Sequence, residues 1–138
     1  GAYTQTTGSE ITLTTVTIPP NIMGRAGCLT ITPAFIIPSN ANSKTTAVYF
    51  GPSVLYAKTR TTSTQETPLI DVRNRGVTNR QFSAWATTAG PATSSSSGVV
   101  NLAIDTTASV DITFRAIINV ATDYCILESA GITSRPFS

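Results

Sequence analysis

The chain has 138 residues, of which 12% are charged and 39 are serine or threonine, and its formal net charge is +2. This length fits one domain with a single core. So few basic residues argue against a nucleic-acid partner, and no apolar run reaches the length of a membrane span, so no membrane insertion is expected. The chain begins without Met, so we expect a processed product or a piece of a longer protein.

The chain opens with a polar segment followed by a strand. Residues 1–9 lack apolar periodicity and are predicted to be a flexible lead or linker. The strand over 10–18 changes phase midway, which predicts a β-bulge near Thr14 or Thr15. In the next strand, over 28–37, Pro33 cannot donate a ladder hydrogen bond, so we expect an edge position or a local bulge there.

The middle of the chain predicts four more short strands, over 45–50, 54–58, 69–73 and 81–86. A polar loop is expected over 60–67 and a turn at 74–76, where Gly76 can adopt a positive φ. In the 81–86 strand the alternation places Phe82 on the inner face and Trp85 on the outer face. The low-complexity segment 87–98 is expected to be a mobile surface loop.

The clearest alternation runs from Val99 to Asn119 and predicts a β-hairpin. Its expected cross-strand pairs are Ile104 with Val110, Leu102 with Ile112, and Val100 with Phe114, all with their side chains in the core. A last strand is expected over 123–127, extended by Ile132, before a frayed tail at 135–138. The fold class is therefore all-β: an antiparallel, jelly-roll-like β-sandwich of 8–9 strands in one domain over 10–134.

The composition offers little catalytic chemistry. Histidine is absent, which removes imidazole from any triad or metal site. Asp105 and Asp111 flank the predicted turn and are the paired carboxylates that come closest to a glycosidase arrangement, although turn capping explains them equally well. Cys28 and Cys125 are interpreted as two buried thiols, with a disulfide as the alternative. We predict no catalytic residues, no metal and no cofactor.

Two groups of side chains are candidates for binding. Trp85, Tyr49 and Tyr56 are expected to point outward, where they would stack on sugar rings or fill a subunit interface; for Trp85 the alternative is packing under the 87–98 loop. Three arginines, Arg73, Arg75 and Arg80, flank one turn. They would form either a solvated turn or a site for an anion or sugar.

Four segments, taken in order, resemble one family. They are TVTIPPNIMGRAGCLTI (15–31), SNANSKTTAVYFG (39–51), DVRNRG (71–76) and GVVNLAIDTTASVDITFRA (98–116). In this order they are similar to a β-rich module at the carboxyl ends of tailed-bacteriophage tail fibre and tailspike proteins. The segment after DVRNRG departs from the family pattern, which has more glycine and aromatic residues there, so receptor identity cannot be carried over.

The resemblance implies a non-enzymatic virion component that acts outside the host cell. It implies a homotrimer with a role in host attachment through cell-surface polysaccharide or lipopolysaccharide, or in fibre trimerisation. The alternatives are a small capsid or decoration protein with a jelly-roll fold, and a carbohydrate-binding accessory module.

Overall fold

Alternating apolar residues build two sheets that pack face to face in the computed structural model, which describes residues 2–4, 7–86 and 100–137. The described residues form eleven strands and no helix, and hence no helix that could cross a membrane. The strands are β1 (Ala2–Thr4), β2 (Ile11–Ile18), β3 (Cys28–Ile36), β4 (Lys44–Phe50), β5 (Ser53–Arg60), β6 (Gln65–Glu66), β7 (Leu69–Asn74), β8 (Gln81–Ala86), β9 (Val100–Leu102), β10 (Val110–Ile118) and β11 (Cys125–Arg135).

The strands form an antiparallel β-sandwich, as the sequence predicts, with a few more short strands than expected. A seven-stranded sheet has the order β1-β11-β3-β7-β8-β9, with β6 also paired to β3, and a four-stranded sheet has the order β2-β10-β4-β5. Within the described residues every strand pair is antiparallel, and one isolated parallel bridge joins Thr7 to Ile118. In both sheets an early strand pairs with a late one, which is consistent with a jelly-roll-like winding.

The core lies between the sheets and is formed by the predicted alternating residues. Phe35 and Ile70 of the larger sheet and Phe50, Ile112 and Phe114 of the smaller one are fully buried. The rings of Phe35 and Phe114 approach across the sandwich with their centroids 6.5 Å apart. At about 1.5–3 kcal/mol for each large buried side chain, this layer fixes the face that each strand turns inward.

The predicted hairpin over 99–119 is wrong in its pairing. β9 pairs with β8 in the larger sheet, whereas β10 pairs with β2 and β4 in the smaller one, so residues 103–109 cross from one sheet to the other. Leu102, Ile112 and Phe114 are nevertheless buried as predicted. Their side chains point into the same core from opposite layers.

Bulges correct the phase of two strands. In β2, Thr14 pairs with Phe114 and Thr12 pairs with Arg115, which leaves Leu13 as the extra residue, next to the predicted position. In β5 the pairing passes from Tyr56 to Val54 and skips Leu55. Leu55 and Tyr56 are therefore both buried, at 1% exposure each.

Pro33 lies in an interior strand, so the predicted edge position is wrong, but the ladder around it is irregular. On one side of β3, β7 pairs with Cys28–Ile31 and β6 pairs with Phe35 and Ile36, so Pro33 faces the gap between them. On the other side the register of β11 shifts between Leu127 and Ser129, close to Pro33. The missing N–H of proline is tolerated where the ladder is interrupted.

Both ends of the chain contribute to the larger sheet. β1, within the predicted lead, pairs with β11, and β11 extends through Ile132 to Arg135, well beyond the predicted strand. Phe137, in the predicted tail, exchanges backbone hydrogen bonds with Met23 and Ala26. The predicted loop over 87–98 lies outside the described residues.

The two thiols are buried and free, as predicted. Cys28 pairs with Arg135 at one end of β11, while Cys125 begins that strand. Ten residues of extended chain separate the two positions by about 30 Å. This distance is far beyond the reach of a disulfide.

Candidate functional site

An open groove of about 370 Å³ lies where the 103–109 crossover meets the turn between β4 and β5. Its polar wall consists of Asp105, Ser109, Asp111, Thr113 and Arg115, and its apolar residues include Pro52, Ile104 and Val110. Pockets for small ligands run from about 300 to 1,000 Å³ and combine apolar surface with a few convergent polar groups. We refer to this site as the Asp111 groove.

The outer residues of β10 supply one wall of the groove. Because Ile112 and Phe114 point into the core, Asp111, Thr113 and Arg115 share the outer face of the smaller sheet. Gly51 closes the groove at the turn: it has a φ of +57°, and its N–H donates to the Asp111 carbonyl at 2.8 Å. A left-handed residue at this turn favours glycine.

Arg115 joins the groove to Tyr49, which points outward as predicted. The guanidinium carbon lies 3.7 Å from the centroid of the Tyr49 ring, and Arg115 Nε donates to Thr113 Oγ1 at 2.9 Å. Glu10 accepts from both residues, at 3.0 Å from Arg115 Nη1 and 3.3 Å from the Tyr49 hydroxyl. Partial burial, followed by the charge of Glu10, raises the pKa of Tyr49.

The two carboxylates of the groove are held by hydroxyls. Asp105 Oδ1 accepts from the backbone N–H of Thr107 at 3.0 Å and from its side-chain hydroxyl, and these bonds, the hydroxyl first, lower the pKa of Asp105. Asp111 Oδ1 accepts from Thr17 Oγ1 at 2.7 Å. Asp105 therefore caps a turn, as the simpler interpretation of the sequence expects, while its remaining oxygen and those of Asp111 can accept hydrogen bonds from a ligand.

Trp85 and Tyr56 do not point outward as predicted. Tyr56 is 1% exposed, and the Trp85 ring packs against it edge to face at 5.0 Å between centroids. The Tyr56 hydroxyl donates to buried Glu66 at 3.0 Å, and Lys58 Nζ lies 5.4 Å from the centre of the Trp85 ring. Burial raises the pKa of Tyr56. This aromatic pair therefore joins the two sheets at an edge of the core.

The three predicted arginines stay together at one turn. Arg75 and Arg80 close it with a backbone hydrogen bond of 3.0 Å, and Arg73 enters it on β7. All three are exposed, and Arg73 forms an exposed 3.3 Å ion pair with Asp71. They lie on the larger sheet, whereas Tyr49 lies on the smaller one, so the predicted binding residues form separate sites.

A buried polar cluster, unforeseen from the sequence, lies elsewhere in the sandwich. Lys44 is 1% exposed, and its Nζ donates to Asn40 Oδ1 at 2.9 Å and to the Thr61 carbonyl at 2.6 Å. Asn40 in turn donates to Asp123 at 2.7 Å. These bonds tie the loop before β4 to the loop before β11. Across the described residues, no three Cys, Asp or Glu side chains converge in a way that could hold a metal ion.

Arg115 is the main residue of the groove that sequence reasoning missed. Its signal was available, because it alternates with Phe114 and must therefore lie on the outer face with Asp111 and Thr113. The contribution of Gly51 and Pro52 could not be foreseen, since it depends on which turn lies against the crossover.

Comparison with known proteins adds no identification. No protein-family model matches the chain, and no curated protein matches it significantly.

Proposed function

We propose that this chain is a non-enzymatic distal domain of a bacteriophage tail fibre or tailspike that attaches to a glycan on the host cell surface. The proposal draws on the resemblance of four ordered segments to that family, and its virion location and homotrimeric state come from the same resemblance. The single observation that carries the binding role is the Asp111 groove, an open site lined by hydroxyl, carboxylate and guanidinium groups.

A neutral sugar suits this groove better than an ion does. A sugar ring offers many hydroxyls that both donate and accept, and the groove provides acceptors on Asp105 and Asp111 and donors on Arg115 and Ser109. Because the groove carries both carboxylates and a guanidinium group, their opposite charges would partly cancel the attraction of the groove for a small ion. Stacking of Arg115 on Tyr49 and its bond to Thr113 hold the guanidinium in one orientation, which lowers the entropy lost on binding.

The environment of Asp105 supports the proposal of a non-enzymatic role. A glycosidase needs one carboxyl kept protonated near neutral pH and a second one ionised. In this groove the Asp105 pKa is shifted downward by Thr107, which is the opposite of what a general acid requires. Incubation with the bound polysaccharide should therefore leave its chain length unchanged.

The test is binding to an array of bacterial capsular and O-antigen polysaccharides. We expect retention of at least one of them, and about tenfold weaker binding for Asp111→Asn and Arg115→Gln, because each loses charge-assisted hydrogen bonds. Thr59→Val, on β5, is the matched surface control. No retention by any polysaccharide, together with a monomeric mass by light scattering at high concentration, would contradict both the attachment role and the trimer.

A further inference from the structure

The outer face of the seven-stranded sheet gathers most of the positive charge of the chain. Five of its nine Lys and Arg residues surround one end of this sheet. They are Arg25, Arg73, Arg75, Arg80 and Arg135, and we refer to them as the arginine patch. The sequence brings only the middle three together, because the other two come from the turn after β2 and from the end of β11.

Sheet register places two of these arginines on one face. Arg135 pairs with Cys28, and Cys28 pairs with Arg73, so the three side chains lie in one row across neighbouring strands. Val72 is fully buried, so Arg73 points away from the core, and the rest of the row does the same. Two strand spacings separate Arg135 from Arg73, which is about 10 Å.

The other three arginines lie around the turn between β7 and β8. Arg75 Nη1 donates to Asn101 Oδ1 at 3.3 Å, which directs its side chain across β8 to β9. Arg25 Nε donates to the Gly76 carbonyl at 3.2 Å. The Arg80 carbonyl accepts from the Arg75 N–H, and since Gln81 is buried, Arg80 turns to the outside.

Few carboxylates offset this charge. Asp71 lies on the same face and forms an ion pair with Arg73, but it also accepts from Thr30 at 2.9 Å. Asp105 neighbours the turn through Thr106, whose N–H donates to the Thr78 carbonyl, but its carboxylate is engaged by Thr107. Among the described residues, Arg73 is the only arginine of the patch that forms an ion pair with a carboxylate, an arrangement that favours binding of anions.

The remaining surface of the face identifies the kind of anion. Next to the row of arginines the same face presents the hydroxyls of Thr30 and Thr133, which pair across β3 and β11, and of Thr32, two residues further along β3. Phe82 continues the row beyond Arg73 and is half-buried, and Phe137, beside Arg25, is 68% exposed. The charged groups of this face therefore lie beside hydroxyls that can form hydrogen bonds with a sugar and beside rings that can stack on it.

We propose that the arginine patch binds an acidic polysaccharide. Its guanidinium groups hold the carboxylates of successive sugars, and the sugar rings lie on Phe82 and on Thr30, Thr32 and Thr133. Arginine binds carboxylates through two parallel hydrogen bonds. This inference rests on the proposed attachment function and makes it more specific, because it assigns acidic glycans to the larger sheet and leaves neutral sugars to the Asp111 groove.

The test is titration of the intact chain with a polygalacturonate oligomer, a neutral dextran oligomer of equal length and a single-stranded DNA oligonucleotide of equal charge. We expect binding of polygalacturonate that weakens as salt is added. The double substitution Arg73→Gln with Arg75→Gln should weaken it by about tenfold or more. Lys58→Gln, which removes one positive charge on β5 of the smaller sheet, is the matched control and should bind as the unsubstituted chain does.

The outcomes separate this inference from the proposed function. If array polysaccharides bind but the double variant keeps its full affinity for polygalacturonate, the patch is not the acidic-glycan site, although the attachment role stands. Equal affinity for DNA, with the same loss in the double variant, would overturn the inference in favour of general polyanion binding. If neither polygalacturonate nor any array polysaccharide binds, both this inference and the attachment role fail. Circular dichroism and a thermal melt of the double variant confirm its fold.

Discussion

The side chain of Gln81 and the backbone of Ile104 form two hydrogen bonds with each other. Gln81 Nε2 donates to the Ile104 carbonyl at 2.8 Å, and the Ile104 N–H donates to Gln81 Oε1 at 2.9 Å. The β8–β9 ladder ends at the pair of Gln81 with Leu102. The amide side chain therefore replaces a strand at the point where the chain leaves the larger sheet, and it holds the start of the crossover.

Replacing Gln81 by Ala should lower the free energy of unfolding by about 2–5 kcal/mol, because each polar group left buried without a partner costs about 1–3 kcal/mol. The orphaned groups would be the Ile104 N–H and carbonyl and the Asn74 Oδ1, which accepts from Gln81 at 2.8 Å. Urea denaturation measures the loss. Gln65→Ala, at an exposed position, is the control and should change stability by less than about 0.5 kcal/mol.

Gln81 also explains why sequence reasoning misplaced Trp85. Alternation assigns Phe82, Ala84 and Ala86 to the core because Gln81 and Ser83 are polar, yet Gln81 and Ser83 are 1% and 0% exposed. Gln81 can face inward because its amide makes its hydrogen bonds inside the protein, whereas the buried Ser83 hydroxyl has no hydrogen-bond partner among the described residues. Trp85 shares the face of these two residues, so it also turns inward.

Phe114→Ala should reduce stability by about 3–5 kcal/mol, the usual cost of removing a fully buried aromatic side chain. The Phe114 ring contacts Phe35 across the sandwich, and the variant would leave a cavity between the two sheets. Phe137→Ala, which truncates a ring that is 68% exposed, is the matched control. Similar midpoints of thermal unfolding for the two variants would contradict the core described above.

The same residues show how far the sequence determines the fold. Two-residue periodicity correctly identified the buried positions of β9 and β10, and hence an all-β sandwich. It cannot distinguish two strands of one hairpin from two strands in facing sheets, because in both arrangements the apolar side chains meet in one core. The Asp111 groove forms at the crossover between β9 and β10, which exists only because these strands lie in facing sheets. The sequence therefore predicted several residues of the groove but not the site itself.

Alkaline pH should destabilise the protein in part through Cys125. Burial raises the pKa of this thiol from 9.0 to about 12, so above pH 9 the unfolded chain loses a proton that the folded chain retains. The free energy of unfolding should then fall by up to about 1.4 kcal/mol per pH unit between these values. Denaturation at a series of pH values measures this slope, and Cys125→Ala should reduce it. Phe114→Leu, a destabilised variant with the thiol intact, should keep the full slope.

Asp105 should titrate below its ordinary value of 3.8 in the folded protein, because the Thr107 hydroxyl and N–H stabilise its charged form. Its contribution to stability is therefore present above that value and is lost as the pH falls through the lowered pKa. Carboxyl chemical shifts followed by NMR during acid titration measure it. Thr107→Val should move the pKa upward; an unchanged Asp105 titration in this variant would show that the side-chain hydrogen bond has no effect on the charge.

The position of β3 affects how the protein can be made. This strand is interior to the larger sheet, yet its partner along one whole side is β11. During synthesis, residues 28–36 leave the ribosome long before residues 125–135 exist, and the unpaired edge of β3 is a template for pairing with another nascent chain. We expect slower synthesis to lower the yield of correctly folded molecules, and chaperones that shield strands to restore it.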